Sequence, residues 1–343
     1  MNEDLRGLRA LQFRDDKIKK LKSALKASES ELSLVKDELA ATKAVALHRP
    51  TRARRRSKLA SASRSKVANH FILGITDNHF TQIVEPETSG GNLHNETVAR
   101  GRIRSVFEQA DAIVRDVGKE SPVGEILLWF GGDSMVNADL HPHFRRITPY
   151  EPHEELSIVE SIFEDILDFA SDSSLVTKAT RIHGSLSNHG RDGKKEDVSA
   201  EIAFRRSFDV TLYRHVFPRY NIPFHIEPSY WGVEQVGGVK TCLHHGHRVS
   251  LKENSLGLPM PNWGQLNRRL SHPRHRGTKL FMHGHFHTAM EAINDSFSYV
   301  SAGSTVGQDG YSYDLLFPDN IPSQPLIQIR DGRVLKVHRL ECP

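Results

Sequence analysis

Cysteine is nearly missing from this 343-residue chain: Cys242 and Cys342 are the only two, and no CxxC occurs. Neither a disulfide framework nor a thiolate zinc site can be built from them, which leads to the expectation of a reducing, intracellular and cytoplasmic setting. Long hydrophobic runs are missing as well. The longest, Ile126 to Phe130, falls far short of the roughly 20 apolar residues a bilayer span needs, so no membrane partner is expected. The opening MNEDLRGLRA has no apolar core of a secretory signal. No internal repeat is found.

Histidine, in contrast, is abundant at 20 residues, and it is the commonest metal ligand. Charge is unevenly placed. Residues 1–70 hold 18 Lys/Arg against 8 Asp/Glu, a net of +10, which leaves 28 against 34 in 71–343, a net of −6. Within the basic leader, residues 15–47 lack Gly and Pro and are rich in Ala, Leu, Lys and Glu, so a helix is expected over 1–48. Ile18, Leu25, Leu32 and Leu39 recur every seven residues, and Leu21, Ser28, Val35 and Thr42 follow three later. That is an a/d seam with two polar d positions. It suits either a weak coiled coil that makes a homo-oligomer or a single solvated helix packed on a partner. Residues 49–66 carry eight Lys/Arg and no acid among Ser and Ala, a basic flexible linker that cannot bury enough surface to fold. It could hold phosphate backbones through counterion release, or serve only as a tether or localisation patch.

From residue 67 to 343 the texture is that of one α/β domain. Strands are expected over 71–76, 125–130, 180–186, 223–226, 239–243, 279–282, 299–302, 326–329 and 334–337. Helices are expected over 154–170, where Leu156, Val159, Ile162, Phe163, Ile166 and Leu167 form one apolar stripe, and near 200–216. Five of the strands run straight into polar groups: Asp77-Asn78-His79, Gly132-Asp133, Asn188-His189-Gly190-Arg191, His244-His245-Gly246-His247 and His283-Gly284-His285-Phe286-His287. The C-terminal ends of strands are where α/β sheets place ligand sites.

This series, Asp77-x-His79, Gly132-Asp133, Asn188-His189, His244/His245 and Gly284-His285-x-His287, resembles the calcineurin-like metallophosphoesterase superfamily. The resemblance covers 71–343, with Ser301-Ala302-Gly303-Ser304 similar to the turn that follows the last histidines. It implies a four-layer α/β/β/α sandwich and a metal-dependent phosphoesterase holding two divalent ions. Oxygen and imidazole ligands suit manganese first, with iron, zinc or nickel as alternatives, and two close ions need a bridging carboxylate. By the resemblance Asp133 bridges; Asp77, His79 and His287 complete one site; Asn188, His285 and His245, with His244 as the alternative, complete the other. A water held between the ions would attack phosphorus, and His189 would protonate the leaving oxygen.

Two positions depart from the family pattern. Ser187 stands where a glycine is usual, and Gly190 stands where an acid usually follows the histidine. His189 must therefore be oriented by something else, either Asp209 or a backbone carbonyl. Arg191, His141, His143 and His247 are candidates for substrate contact, while His183 reads as a core histidine and His94, His153, His272 and His275 as exposed ones. The Ser187–Arg191 block and Gln308-Asp309-Gly310-Tyr311 resemble DNA-repair-exonuclease-like members often carried by phages. The first expectation is therefore hydrolysis of phosphodiester bonds in nucleic acid. A phosphodiesterase for cyclic or short nucleotides, a protein or small-molecule phosphatase, and a catalytically dead coiled-coil scaffold follow in that order.

Overall fold

A computed structural model describes residues 67–140, 143–192, 199–249, 251–253, 259–293, 297–314 and 320–342. The helix expected over 1–48 and the linker over 49–66 lie outside the described residues.

In chain order the strands are β1 (Asn69–Thr76), β2 (Val123–Gly132), β3 (Thr180–Gly184), β4 (Phe224–Ile226), β5 (Gly232–Val236), β6 (Val239–His244), β7 (Leu251–Glu253), β8 (Pro259–Pro261), β9 (Leu280–His283), β10 (Met290–Ile293), β11 (Ser298–Ser301), β12 (Ser323–Arg330) and β13 (Arg333–Glu341). One sheet has the order β13-β12-β1-β2-β3-β4 and a second the order β10-β11-β9-β6-β5; β7 and β8 pair alone. The strands that end in polar clusters run parallel to their neighbours: β1 with β2, β2 with β3, and β6 with β9. Their C-terminal ends therefore share one edge of each sheet.

The layering follows from the two-residue period of a strand. On β1 and β2, Phe71, Leu73, Ile75, Ile126, Leu128 and Phe130 face outward, into a core shared with three helices. These are α1 (Glu96–Glu120), α2 (Pro152–Ser171) and, after a short α3 (Ala200–Arg206), α4 (Phe208–Val216). The alternate residues Ile72, Leu127 and Trp129 face Val236, Val239, Leu243, Leu280, Met282 and Val300 of the second sheet. The far side of that sheet, with Cys242, Phe281 and Tyr299, packs on Leu266 of α5 (Trp263–Leu270). The result is the expected four-layer sandwich of helices, two face-to-face sheets and helices. Strands buried on both faces need near-continuous apolar sequence, and FILGI and ILLWF supply it. Among the described residues no helix is long and apolar enough to cross a membrane.

Three expectations are corrected. The helix expected over 200–216 breaks at Ser207, whose backbone is extended (φ −82°, ψ 133°) and whose hydroxyl accepts from Val210 N to start α4. His94 and His275, read as exposed, are buried. The 25-residue α1, capped by Asn95, was not foreseen.

Candidate metal centre

Each polar cluster turns sharply where its strand stops. Asp77, His79, Asp133, His285 and His287 all adopt left-handed backbone conformations, with φ between 37° and 75°, a region that non-glycine residues visit rarely and at a cost. These turns are tied across the two sheets. Gly284 N donates to His245 O at 2.7 Å, and His285 N donates to both Asp77 carboxylate oxygens at 2.9 Å. Any side chain at Gly284 would run into the Asp77 carboxylate and Thr76. Ser304 in the turn after β11 donates to Asp77 O at 2.6 Å.

Two groups of donors converge there, Asp77–His79–His287 and Asp133–His245–His285, with the ligand atoms of each group within 4.8 Å of one another. His287 Nε2 lies 3.7 Å from Asp77 Oδ1, and His79 Nε2 lies 4.0 Å from Asp133 Oδ2, which joins the groups. In the second group His245 Nε2 lies 2.9 Å from Asp133 Oδ2 and 2.8 Å from Asn188 Oδ1. Its other nitrogen, Nδ1, donates to Gly131 O at 2.9 Å, which aims Nε2 at the carboxylate. Of the adjacent pair it is thus His245 that faces the carboxylates. His244 packs on Trp231, with ring centroids 4.1 Å apart, and accepts from Gly246 N at Nδ1.

The electrostatics suit cations. Burial opposes charge on Asp133, yet the His245, His189 and His79 imidazoles hold its pKa well below the usual carboxylate range. Burial raises Asp77. Burial also lowers His79 far below the ordinary histidine value and His285 to about 3, leaving their ring lone pairs free. At His245 burial is outweighed by Asp133, and its pKa rises to about 9. The atoms that share that proton can share a divalent cation instead.

His189 belongs to this cluster through His79 and Asp133. Its backbone N donates to Asp133 Oδ1 at 2.8 Å, and its Nδ1 donates to Val136 O at 2.7 Å. Of the two candidate orienters, then, the backbone carbonyl holds His189. Asp209 instead accepts from Ser187, through the backbone N at 3.2 Å and the hydroxyl at 2.5 Å. The two departures at 187 and 190 are one device: Asp209 bonds the Ser187 side chain and occupies the space that a side chain at Gly190 would need. Burial raises Asp209 to about 7.

The carbonyl that orients His189 depends on Glu155, a residue the apolar stripe of α2 concealed. Its buried carboxylate accepts from Val136 N (2.9 Å), Asn137 N (3.1 Å), Ala138 N (3.0 Å) and the Thr81 hydroxyl (2.5 Å). Asn137, with φ 63°, then donates from Nδ2 to His189 O (2.7 Å) and Arg191 O (2.6 Å). His94 is a second concealed support. Its Nε2 donates to His79 O at 3.3 Å, and burial lowers its pKa to about 4, so it works as the neutral ring. A polar residue inside an apolar helical stripe was the available signal for Glu155; His94 has none.

Two cavities open onto the cluster. The larger, about 780 Å3, is lined by His79, Asp133, His189, His285 and His287 on one side and by Ile83, Val84, Phe144, Ile147 and Phe286 on the other. Phe144 stacks on the His189 ring at 4.9 Å and 25°. His143 and Asp309 reach this cavity too. The smaller, about 160 Å3, brings Asn188 and His189 together with Arg191 and His247. His141 lies outside the described residues. His183 is a core residue, its Nδ1 2.8 Å from Glu234 Oε1, away from both donor groups.

No protein-family model and no curated protein matches the chain. Among solved structures it is similar to a conserved protein of Streptococcus pneumoniae described as a predicted phosphoesterase, with 14% identity and a TM-score of 0.33 over 80% of this chain and 90% of that one. It is also similar to Vacuolar Protein Sorting 29 of Cryptosporidium parvum (14%, 0.33, 79% and 97%). An archaeal phosphodiesterase is a third (12%, 0.33, 76% and 99%). The functional reading rests on the side chains described above.

Proposed function

We propose that the chain is a phosphoesterase dependent on divalent metal ions, and that it hydrolyses phosphodiester bonds, first of all in nucleic acid. The observation that carries this reading is the convergence of two donor triads with His79 and Asp133 4.0 Å apart between them. The donors fit such ions: buried carboxylates, imidazoles that burial keeps neutral at His79 and His285, an amide oxygen and no thiolate. Asp77, His79 and His287 would hold one ion, Asn188, His245 and His285 the other, with Asp133 shared. Bound there, the ions supply Lewis-acid polarisation of the phosphoryl group and a water nucleophile near neutral pH.

The chain's own residues supply the remainder. Arg191, at the rim of the smaller cavity, offers a planar fork to the non-bridging oxygens. With Nδ1 fixed on Val136 O, Nε2 is the nitrogen of His189 left to pass a proton to the leaving oxygen. Phe144 against the ring fixes its plane and keeps water from one face. The apolar wall of the larger cavity suits a nucleobase, and this favours a second reading, a phosphodiesterase for short or cyclic nucleotides.

Activity with Mn²⁺ on a chromogenic diester, a phosphomonoester and labelled single- and double-stranded DNA tests these readings. Cleavage of the diester and of DNA is expected, abolished by Asp133→Ala and reduced about 10²–10⁴-fold by His189→Ala. Cleavage of the diester but not DNA selects the short-nucleotide reading. Activity on the monoester alone overturns both. No turnover despite two bound ions per chain transfers the reading to a scaffold.

A further inference from the structure

Outside the metal centre lies a further cavity, of about 390 Å3, on the outer side of the second sheet. Trp231, Arg248, Gln265, Arg268, Arg269 and His272 line it, and no described carboxylate does. Arg268 and Arg269, on the last turn of α5, are exposed, and neither side chain has an ion-pair partner among the described residues. Arg269 lies over the Trp231 ring at 4.7 Å, and the Trp231 indole N–H is buried without a hydrogen-bond partner. The sequence around it is set apart from the acidic body: residues 259–290 contain five Lys/Arg and no Asp/Glu.

This cavity and the smaller catalytic-side one are lined by adjacent residues of one turn. His247 lines the smaller catalytic-side cavity together with Arg191, and Arg248 lines the outer one. Arginines thus line both cavities: Arg191 the smaller one, and Arg248, Arg268 and Arg269 the outer one. A strand that carries several phosphates can place one in each cavity, and guanidinium forks match phosphate geometry.

Building on the phosphodiesterase reading, we propose that the Arg248–Arg268–Arg269 cavity binds a phosphate of a nucleic-acid strand at a distance from the scissile bond, so that the substrate is an oligonucleotide rather than a single nucleotide. The exposed arginines make the variant Arg268→Gln/Arg269→Gln safe for the fold, and circular dichroism checks this. Binding of a fluorescein-labelled single-stranded oligonucleotide to the full chain is followed by anisotropy in EDTA across a salt series. Residues 49–66 act equally in wild type and variant and cancel in the difference. The variant is expected to bind about tenfold more weakly, with the slope of log Kd against log salt reduced by about 0.7 for one lost phosphate contact. With Mn²⁺, the KM for the oligonucleotide relative to that for a small chromogenic diester rises by a similar factor. An unchanged slope and affinity overturn the proposal, as does arginine-dependent binding of a phosphopeptide or an anionic phospholipid vesicle without that of the oligonucleotide. If wild type hydrolyses no diester at all, the phosphodiesterase reading fails by itself, and the salt slope still decides the cavity.

Discussion

Replacing Glu155 by glutamine exchanges one carboxylate oxygen for an amide nitrogen in a pocket where every neighbour is a donor. Three backbone N–H groups and the Thr81 hydroxyl converge on the two oxygens, and the residue is fully buried. In its better orientation the glutamine keeps the oxygen that serves Val136, Asn137 and Thr81, and its NH₂ then faces Ala138 N, donor against donor. One charge-assisted bond is lost, worth about 1.5–3 kcal/mol, and a buried donor is left unpaired, which costs about 1–3 kcal/mol. The combined loss is about 2.5–6 kcal/mol, or roughly 5–24 °C in Tm for a domain of this size. The segment that loosens carries Val136 O and Asn137, which hold His189, so kcat on a diester should fall by about ten- to a hundredfold. Thermal unfolding by circular dichroism and steady-state kinetics measure both. A Tm within about 1 °C of wild type with unchanged kcat would refute the reasoning, since no arrangement of an amide satisfies all four donors.

Gly190→Ala should displace Asp209 and lose its bonds to Ser187, lowering Tm, whereas the same change in an Asp209→Ala background should cost less; thermal unfolding of the four proteins should give a coupling of about 1 kcal/mol or more. Glu234, whose burial is outweighed by His183 and Arg181, has its pKa lowered from 4.5 to about 2. Its contribution is therefore complete above pH 4.5 and fades as pH falls toward 2. Urea unfolding should accordingly show Glu234→Gln well below wild type at pH 7 and closer to it at pH 3. Manganese at about 100 times its Kd should add ~2.7 kcal/mol of stability. Differential scanning calorimetry should register that as a Tm rise reversed by EDTA and missing in Asp133→Ala.

All nine expected strands appear: seven are buried apolar runs bounded by polar or glycine residues, and β4 and β13 are more exposed strands at the two edges of the first sheet. The donors were legible for the same reason: a buried strand that ends in Asp, Asn or His leaves the polar group at the sheet edge. What escaped was whatever lacks an apolar signature. In α1, Gly101, Gly118 and many charged residues mask the spacing of Ile103, Val106, Phe107, Ala110 and Val114. β5 and β10 are short and half-exposed. His94 looked like a polar loop residue, yet it is buried beside Arg102, which the Thr305 and Val306 carbonyls hold from more than 200 positions away. Ser187 and Gly190 were visible as departures, but the reason for them sits on α4, in Asp209, where no local spacing leads.

The left-handed turns at Asp77, His79, Asp133, His285 and His287 set the backbone against its own side chains. Each such backbone costs about 1 kcal/mol or more, which bonds such as His285 N to Asp77 and His189 N to Asp133 offset in part. Divalent ions bound there would offset the rest. Glycine at any of the five would relax its turn and remove a donor in the same stroke, so the tension and the donor set are kept or lost together.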